Sequence, residues 1–108
     1  MTSAIAHFPP LIEALPAFDG PFDAFELAAP GCDVLFATYP AGTSIAPHRH
    51  DTENVGVITK GELVLTVEGA TATYGPGDWY HVPRGAEHSA EFAVDSAEIE
   101  LWFAQEQP

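Results

Sequence analysis

Three histidines, His48, His50 and His88, carry the most readable chemistry in this 108-residue chain. His48 and His50 flank Arg49, and in an extended segment side chains two residues apart point the same way. Pro47 favours an extended backbone just before it. Two imidazoles then converge on one point, and convergent neutral imidazoles are what borderline divalent metals take as ligands. Alone, the pair equally describes a surface strand with two solvated histidines. Its surroundings say more. Gly42 lies six residues before His48, Asn54 four after His50, and Gly61 seven after Asn54. Downstream, Gly77, Pro83, Gly85 and His88 follow the spacing G-x5-P-x-G-x2-H, with fifteen residues between Gly61 and Gly77.

These two blocks resemble the paired motifs of the cupin superfamily, G-x5-H-x-H-x3,4-E-x6-G and G-x5-P-x-G-x2-H-x3-N. The match runs from Gly42 to Phe92, about half the chain. The resemblance implies a jelly-roll (double-stranded β-helix) barrel and a homodimer. It also implies one divalent transition metal per chain (manganese, iron, nickel, zinc or copper) at the barrel mouth. The ligands it implies are His48, His50, His88 and the residue at the acidic position of the first motif.

Two departures from the pattern matter. Phe92 stands at the terminal Asn position, a packing place. At the Glu position the register places Asn54, with Glu53 one residue early. Neighbouring strand residues face opposite sides unless a bulge intervenes, so the two exclude each other. The register to Gly61 favours Asn54, and Gly56 and Ile58 would then also face inward, Gly56 opening space beside the metal. With Glu53 inward, Val55 and Val57 would follow. Three imidazoles and an amide leave the metal its full charge, a weaker and more Lewis-acidic site suited to an anionic substrate; Glu53 would cancel one charge and tighten binding. Some small single-domain cupins carry an amide here, and Glu53-Asn54-Val55-Gly56-Val57 resembles their E-Q-x-G-x stretch. Certain of these act on unsaturated sugar acids in uronate catabolism.

The other chemical side chains each have a plainer reading. His81 is a candidate general acid or base, near its ordinary pKa of about 6.5, if it points into the lumen; otherwise it is a surface or satisfied core histidine. Arg84, in the turn of the second block, is a candidate for orienting an anionic ligand, against a solvated turn residue. Glu98, Glu100 and Trp102 share one face of a strand, lining either lumen or solvent. Two carboxylates on one strand are ordinarily solvated, so solvent is the expected side, and Trp102 is a candidate substrate contact if the face is the lumen. His7 has no partner in sequence, and Cys32 reads as a small buried residue.

Positioning these groups falls to short strands. From Asp33 onward apolar residues alternate with polar ones, in segments 33–39, 54–60, 62–68, 70–74, 78–82, 88–94 and 97–103. Turn residues separate them, as at Gly75-Pro76-Gly77-Asp78 and Pro83-Arg84-Gly85. Seven or eight such strands with almost no helix indicate an all-β barrel, closed because a flat sheet of short apolar strands would expose its edges. Residues 1–31 differ. Pro9, Pro10, Pro16, Pro21 and Pro30 break regular structure, so this stretch reads as an irregular arm packing on the barrel, residues 32–108, or on a partner subunit.

Composition narrows the setting. Sixteen acidic against three basic residues give a net charge of −13, which repels phosphate backbones and anionic lipids. Nucleic acid and membrane are therefore not expected as partners; a small-molecule ligand is. No segment approaches the roughly 20 apolar residues of a membrane span, no signal peptide or DNA-binding segment is visible, and the lone Cys32 fits a reducing cytoplasm. The expected activity is that of a metal-dependent enzyme acting on a small polar or anionic organic substrate, by isomerase, lyase or dioxygenase chemistry. The alternative is a barrel that binds a metal or small molecule without turnover.

Overall fold

A computed structural model of the chain describes residues 5–104, leaving residues 1–4 and 105–108 at the ends of the expected arm and barrel outside the described part. Nine strands follow one short helical turn, α1 (Pro10–Glu13): β1 (Asp23–Ala29), β2 (Cys32–Tyr39), β3 (Thr43–His48), β4 (Glu53–Lys60), β5 (Leu63–Val67), β6 (Ala70–Tyr74), β7 (Trp79–Val82), β8 (His88–Phe92) and β9 (Ser96–Phe103). They form a five-stranded sheet, ordered β1-β2-β9-β4-β7, facing a four-stranded sheet, ordered β3-β8-β5-β6. All pairings are antiparallel. The chain crosses repeatedly between two facing sheets, which is the jelly-roll architecture.

Alternation sets the core. On β4, Asn54, Gly56 and Ile58 are buried while Val55 and Val57 are only half-buried. On β8 the buried residues are His88, Ala90 and Phe92. The inner faces meet through Tyr39 and Phe92, whose rings stack at 4.2 Å and 6°. Ile58, Leu63, Leu65 and Val82 complete the buried cluster. The turn from β4 to β5 needs Gly61, at φ +82°: a Cβ there would lie 2.5 Å from the Asp95 carbonyl oxygen and 2.8 Å from Ser96 Cα.

The N-terminal stretch is more regular than its prolines suggest. Pro21 and Pro30 bracket a proline-free run, and that run is β1, paired with β2 from Asp23–Thr38 to Ala29–Cys32. Upstream, the Phe18 and Glu26 amides donate to the Ala24 and Pro16 carbonyls at 2.8 Å, so the chain folds back along β1 and covers part of that edge. Phe18 packs on Phe22 and Phe22 on Tyr39, at 4.9 and 5.2 Å between centroids, which places the arm against the interior end of the barrel. Cys32 is half-buried rather than buried.

Candidate metal centre and lumen

β3 delivers His48 directly opposite His88 on β8, after a register shift between Ile45 and His48. Beyond His48 the chain leaves the strand. There the His50 carbonyl accepts a 2.9 Å bond from the Gly85 amide, and Arg49 Nη1 donates to the Gly85 carbonyl at 2.7 Å. The turn of the second sequence block is thereby clamped to the first. One ligand nitrogen from each of His48, His50 and His88 lies within 4.8 Å of the others.

Backbone carbonyls fix two of these rings. Nδ1 of His48 sits 2.8 Å from the Ala46 carbonyl and Nδ1 of His88 3.0 Å from the Ala86 carbonyl. A carbonyl only accepts, so each Nδ1 carries the proton and donates, leaving Nε2 as a lone pair. His48 Nε2 and His50 Nε2 approach to 3.0 Å. Burial and the adjacent rings of His48 and His88 lower the His50 pKa to about 4. Burial also lowers His88, partly offset by its bond to Ala86. Three converging imidazoles, two with their lone pairs set by outer hydrogen bonds, are a donor set that fits a borderline divalent cation.

Parity decides between the two neighbours on β4. Asn54 faces the lumen, its Oδ1 accepting from Thr52 Oγ1 at 2.5 Å. Glu53 faces outward, 2.6 Å from His81 Nε2 and accepting the Arg84 amide at 2.7 Å. The Arg84 amide, then His81, holds the Glu53 carboxyl below its usual range. His81 is therefore exposed on the outer side and does not border the cavity. Arg84 is also outside: Nη1 reaches the Asp51 carbonyl and lies 3.7 Å from Asp51 Oδ1, while Nη2 is buried without a partner.

Inward of the three rings lies a cavity of about 710 Å³, walled by Phe18 and Phe22 of the arm and by Tyr39, Tyr80 and Trp102. Among the described residues no lysine or arginine borders it. Trp102 does, its ring set edge-on to His50 at 4.5 Å and its Nε1 donating to Glu100 Oε1 at 2.9 Å.

Two expectations need correction. Glu98 and Glu100 do not face solvent: they are 2% and 5% exposed and point into the lumen, because β9 sits between β2 and β4 and its even-numbered face looks across to the other sheet. Tyr39 Oη donates to Glu100 and Tyr80 Oη to Glu98. Gly56 leaves no open space either, since a Cβ there would overlap the Tyr80 ring. Tyr39 and Tyr80 are site residues that no motif in the sequence marks. The usable signal was parity: Tyr80 and Val82 alternate with Trp79 and His81, and Gly56 lies directly across from Tyr80.

Residues 35–103 match the family model for the Cupin domain. A 67-residue stretch is 34% identical to the HTH-type transcriptional regulator PuuR of Escherichia coli; it is 61% of this chain and 35% of PuuR, so the chain spans about a third of that relative's length. Among solved structures, an RmlC-like cupin from Shewanella frigidimarina superposes with a TM-score of 0.76 at 19% identity, covering 88% of each chain. KdgF from Halomonas sp. superposes with a TM-score of 0.70 at 23% identity, over 80% of this chain and 81% of that one. A two-sheet jelly roll with converging histidines at the mouth of its cavity is the architecture of a small cupin. This chain belongs to the cupin family.

Proposed function

We propose that this protein is a metal-dependent cupin enzyme, acting on a small polar or anionic organic substrate by isomerase, lyase or dioxygenase chemistry. The observation that carries this is the convergence of His48, His50 and His88, two of them locked by backbone carbonyls so that Nε2 is the unprotonated nitrogen. Asn54 is the fourth ligand in this reading, being the inward residue at the acidic position of the motif. A bound manganese, iron, nickel, zinc or copper ion would supply Lewis acidity, and redox capacity for iron or copper. The chain's own contribution is to orient an oxygen-bearing substrate: Trp102 and Tyr80 wall the cavity, and the aromatic arm residues exclude water from its inner end. His81 and Arg84 have no part in this, since both lie outside the cavity.

Elemental analysis of purified protein is expected to find about one transition metal per chain, and a chelator should lower the melting temperature. Acid should release the metal. The His50 pKa is about 4 in the fold against 6.5 as its reference, so the unfolded chain binds a proton in that window that the native ring refuses. Stability from this ring is full above pH 6.5 and is lost as pH falls towards 4. Metal release, followed by dialysis and elemental analysis, should fall in the same acidic window. Metal-free protein indifferent to chelator would refute the proposal.

A binding barrel without turnover is the second reading, favoured by the similarity to a segment of PuuR. Small organic acids and keto-sugars, assayed with the identified metal, separate turnover from binding alone. A cytoplasmic setting accords with the lone Cys32, and no helix among the described residues is long and apolar enough to cross a membrane.

A homodimer completes the proposal. The outer face of the five-stranded sheet carries two apolar rows in register. Phe25, Phe36, Ile99, Val57 and Trp79 form one, and Leu27, Val34, Leu101 and Val55 the other. Trp79 is 59% exposed and Leu27 44%. Phe8 packs on the Phe25 and Phe36 end, at 6.1 and 6.0 Å, and Lys60 Nζ donates to the Ile5 carbonyl. A contiguous apolar face of this kind marks an association surface, and a two-fold pairing of it is self-complementary. Light scattering should give twice the 11.5 kDa chain mass, and Ile99→Glu should reduce it to one chain. A wild-type monomer would refute the pairing.

A further inference from the structure

We propose that Glu98 and Glu100 are a proton-transfer pair serving the cavity, sharing one proton and moving it to and from a ligand carbon adjacent to a carbonyl. The proposal rests on the reading of this lumen as a small-molecule site. The two side chains lie side by side on the inner face of β9, nearly fully buried. Their hydrogen-bond donors and register neighbours are neutral: Tyr39 from β2, Tyr80 from β7, Trp102 of their own strand, Leu35 and Ala37 of β2, and Gly56 and Ile58 of β4 opposite Glu100 and Glu98. No lysine or arginine among the described residues borders the cavity to compensate two ionised carboxylates on one buried strand face, and the pair retains a proton.

The donor count assigns that proton. Glu100 receives Tyr39 Oη and Trp102 Nε1, whereas Glu98 receives Tyr80 Oη alone. Glu98 is therefore the acid and Glu100 the carboxylate. Titration behaviour agrees: burial, then Glu100, pushes Glu98 well above the usual carboxyl range, and burial raises Glu100 while its bonds to Tyr39, Trp102 and Glu98 oppose the rise. Burial also raises both tyrosines, so they remain donors. Acidic groups without cations are a poor way to stabilise a core, where apolar side chains of similar volume serve as well or better. Their position is what they contribute. Trp102 joins the pair to the imidazoles, its N–H on Glu100 and its ring against His50.

The step balances without any other reactant. Glu100 takes the proton from a C–H bond next to a carbonyl, and that bond's electron pair becomes the C=C bond of an enol. The Glu98 proton is delivered to the carbonyl oxygen. With a hydroxyl on the deprotonated carbon the product is an enediol: Glu100 returns its proton to the former carbonyl carbon while the other hydroxyl gives its proton to Glu98 and becomes the new carbonyl, which completes a positional shift and restores the pair. No electrons leave the substrate, so the pair fits an isomerase or eliminating lyase and not a dioxygenase.

The test uses the metal-loaded protein as wild type, Glu98→Gln and Glu100→Gln, with metal content measured on every sample. Infrared spectra of wild type should show a protonated carboxyl band persisting above pH 7 and absent from Glu98→Gln. Full ionisation at pH 7 would overturn the shared proton. In D2O, with pyruvate, 2-oxobutyrate, dihydroxyacetone and fructose as probes, wild type should exchange C–H for C–D with at least one. Glu100→Gln should lose that exchange by at least about 100-fold at unchanged metal content. No exchange by metal-loaded wild type, or undiminished exchange by Glu100→Gln, overturns the proposal. Absence of metal from wild type would instead fault the metal reading, leaving the infrared result to judge the pair. Should Glu100→Gln fail to fold, Tyr39→Phe removes one donor from the Glu100 carboxylate. Its pKa then rises, and the pH at which exchange sets in should move up; an unmoved profile overturns the assignment of Glu100 as base.

Discussion

His88→Ala should abolish metal binding while leaving the barrel folded. His88 is the one member of the triad supplied by the second sequence block, and its Nε2 lone pair is held by the Nδ1 bond to Ala86. Outer partners of metal ligands are themselves worth roughly 10–100-fold in affinity, so loss of a ligand should weaken binding beyond about 100-fold. Metal at a hundredfold excess over its Kd stabilises a fold by about 2.7 kcal/mol, which in a domain of this size is about 10 °C of melting temperature. Wild type should show that rise and His88→Ala should show none, by calorimetry with and without the identified metal. Unchanged affinity in a folded His88→Ala protein would remove the triad as a site. His48→Ala is the companion variant and should behave alike, since its ring is held the same way by Ala46.

Phe92→Ala carries the largest expected cost to the fold itself. Phe92 is 2% exposed and stacks on Tyr39, linking the inner faces of the two sheets. Truncating a buried phenylalanine costs about 3–5 kcal/mol, transfer and cavity together, against a total stability of about 5–15 kcal/mol for a natural domain. Urea unfolding should show the midpoint fall with little change in slope, and Phe92→Leu should recover most of the loss. A cost under about 1 kcal/mol would mean that the sheets are not pinned at this stack. The same truncation frees Tyr39, one of the donors on Glu100, so it should also disturb the lumen.

Much of the architecture was readable from period-two alternation, because each strand buries one face and the pattern must show it. Segments 54–60, 70–74 and 97–103 lie within a residue of β4, β6 and β9. β1 was not readable: the prolines around it dominate the local signal, and its stability comes from pairing with β2 rather than from its own pattern. The inward side of β4 followed from the spacing to Gly61, and Asn54 does face the lumen. On β9 no such landmark exists. Alternation says that Glu98, Glu100 and Trp102 share a face, but not which way that face turns.

What this sequence determined alone is the set of local geometries. Spacing places two imidazoles on one side of an extended segment, glycine and proline set the turns, and alternation commits each residue to one of two faces. Only the folded chain decided which face is interior. That choice is made by the sheet lying opposite, and the partners of β9 come from β2 and β4, residues far away along the chain. Burying two carboxyl groups opposes the ordinary preference for solvating them, and the tyrosines that make burial tolerable come from strands distant in sequence. No local pattern could announce that.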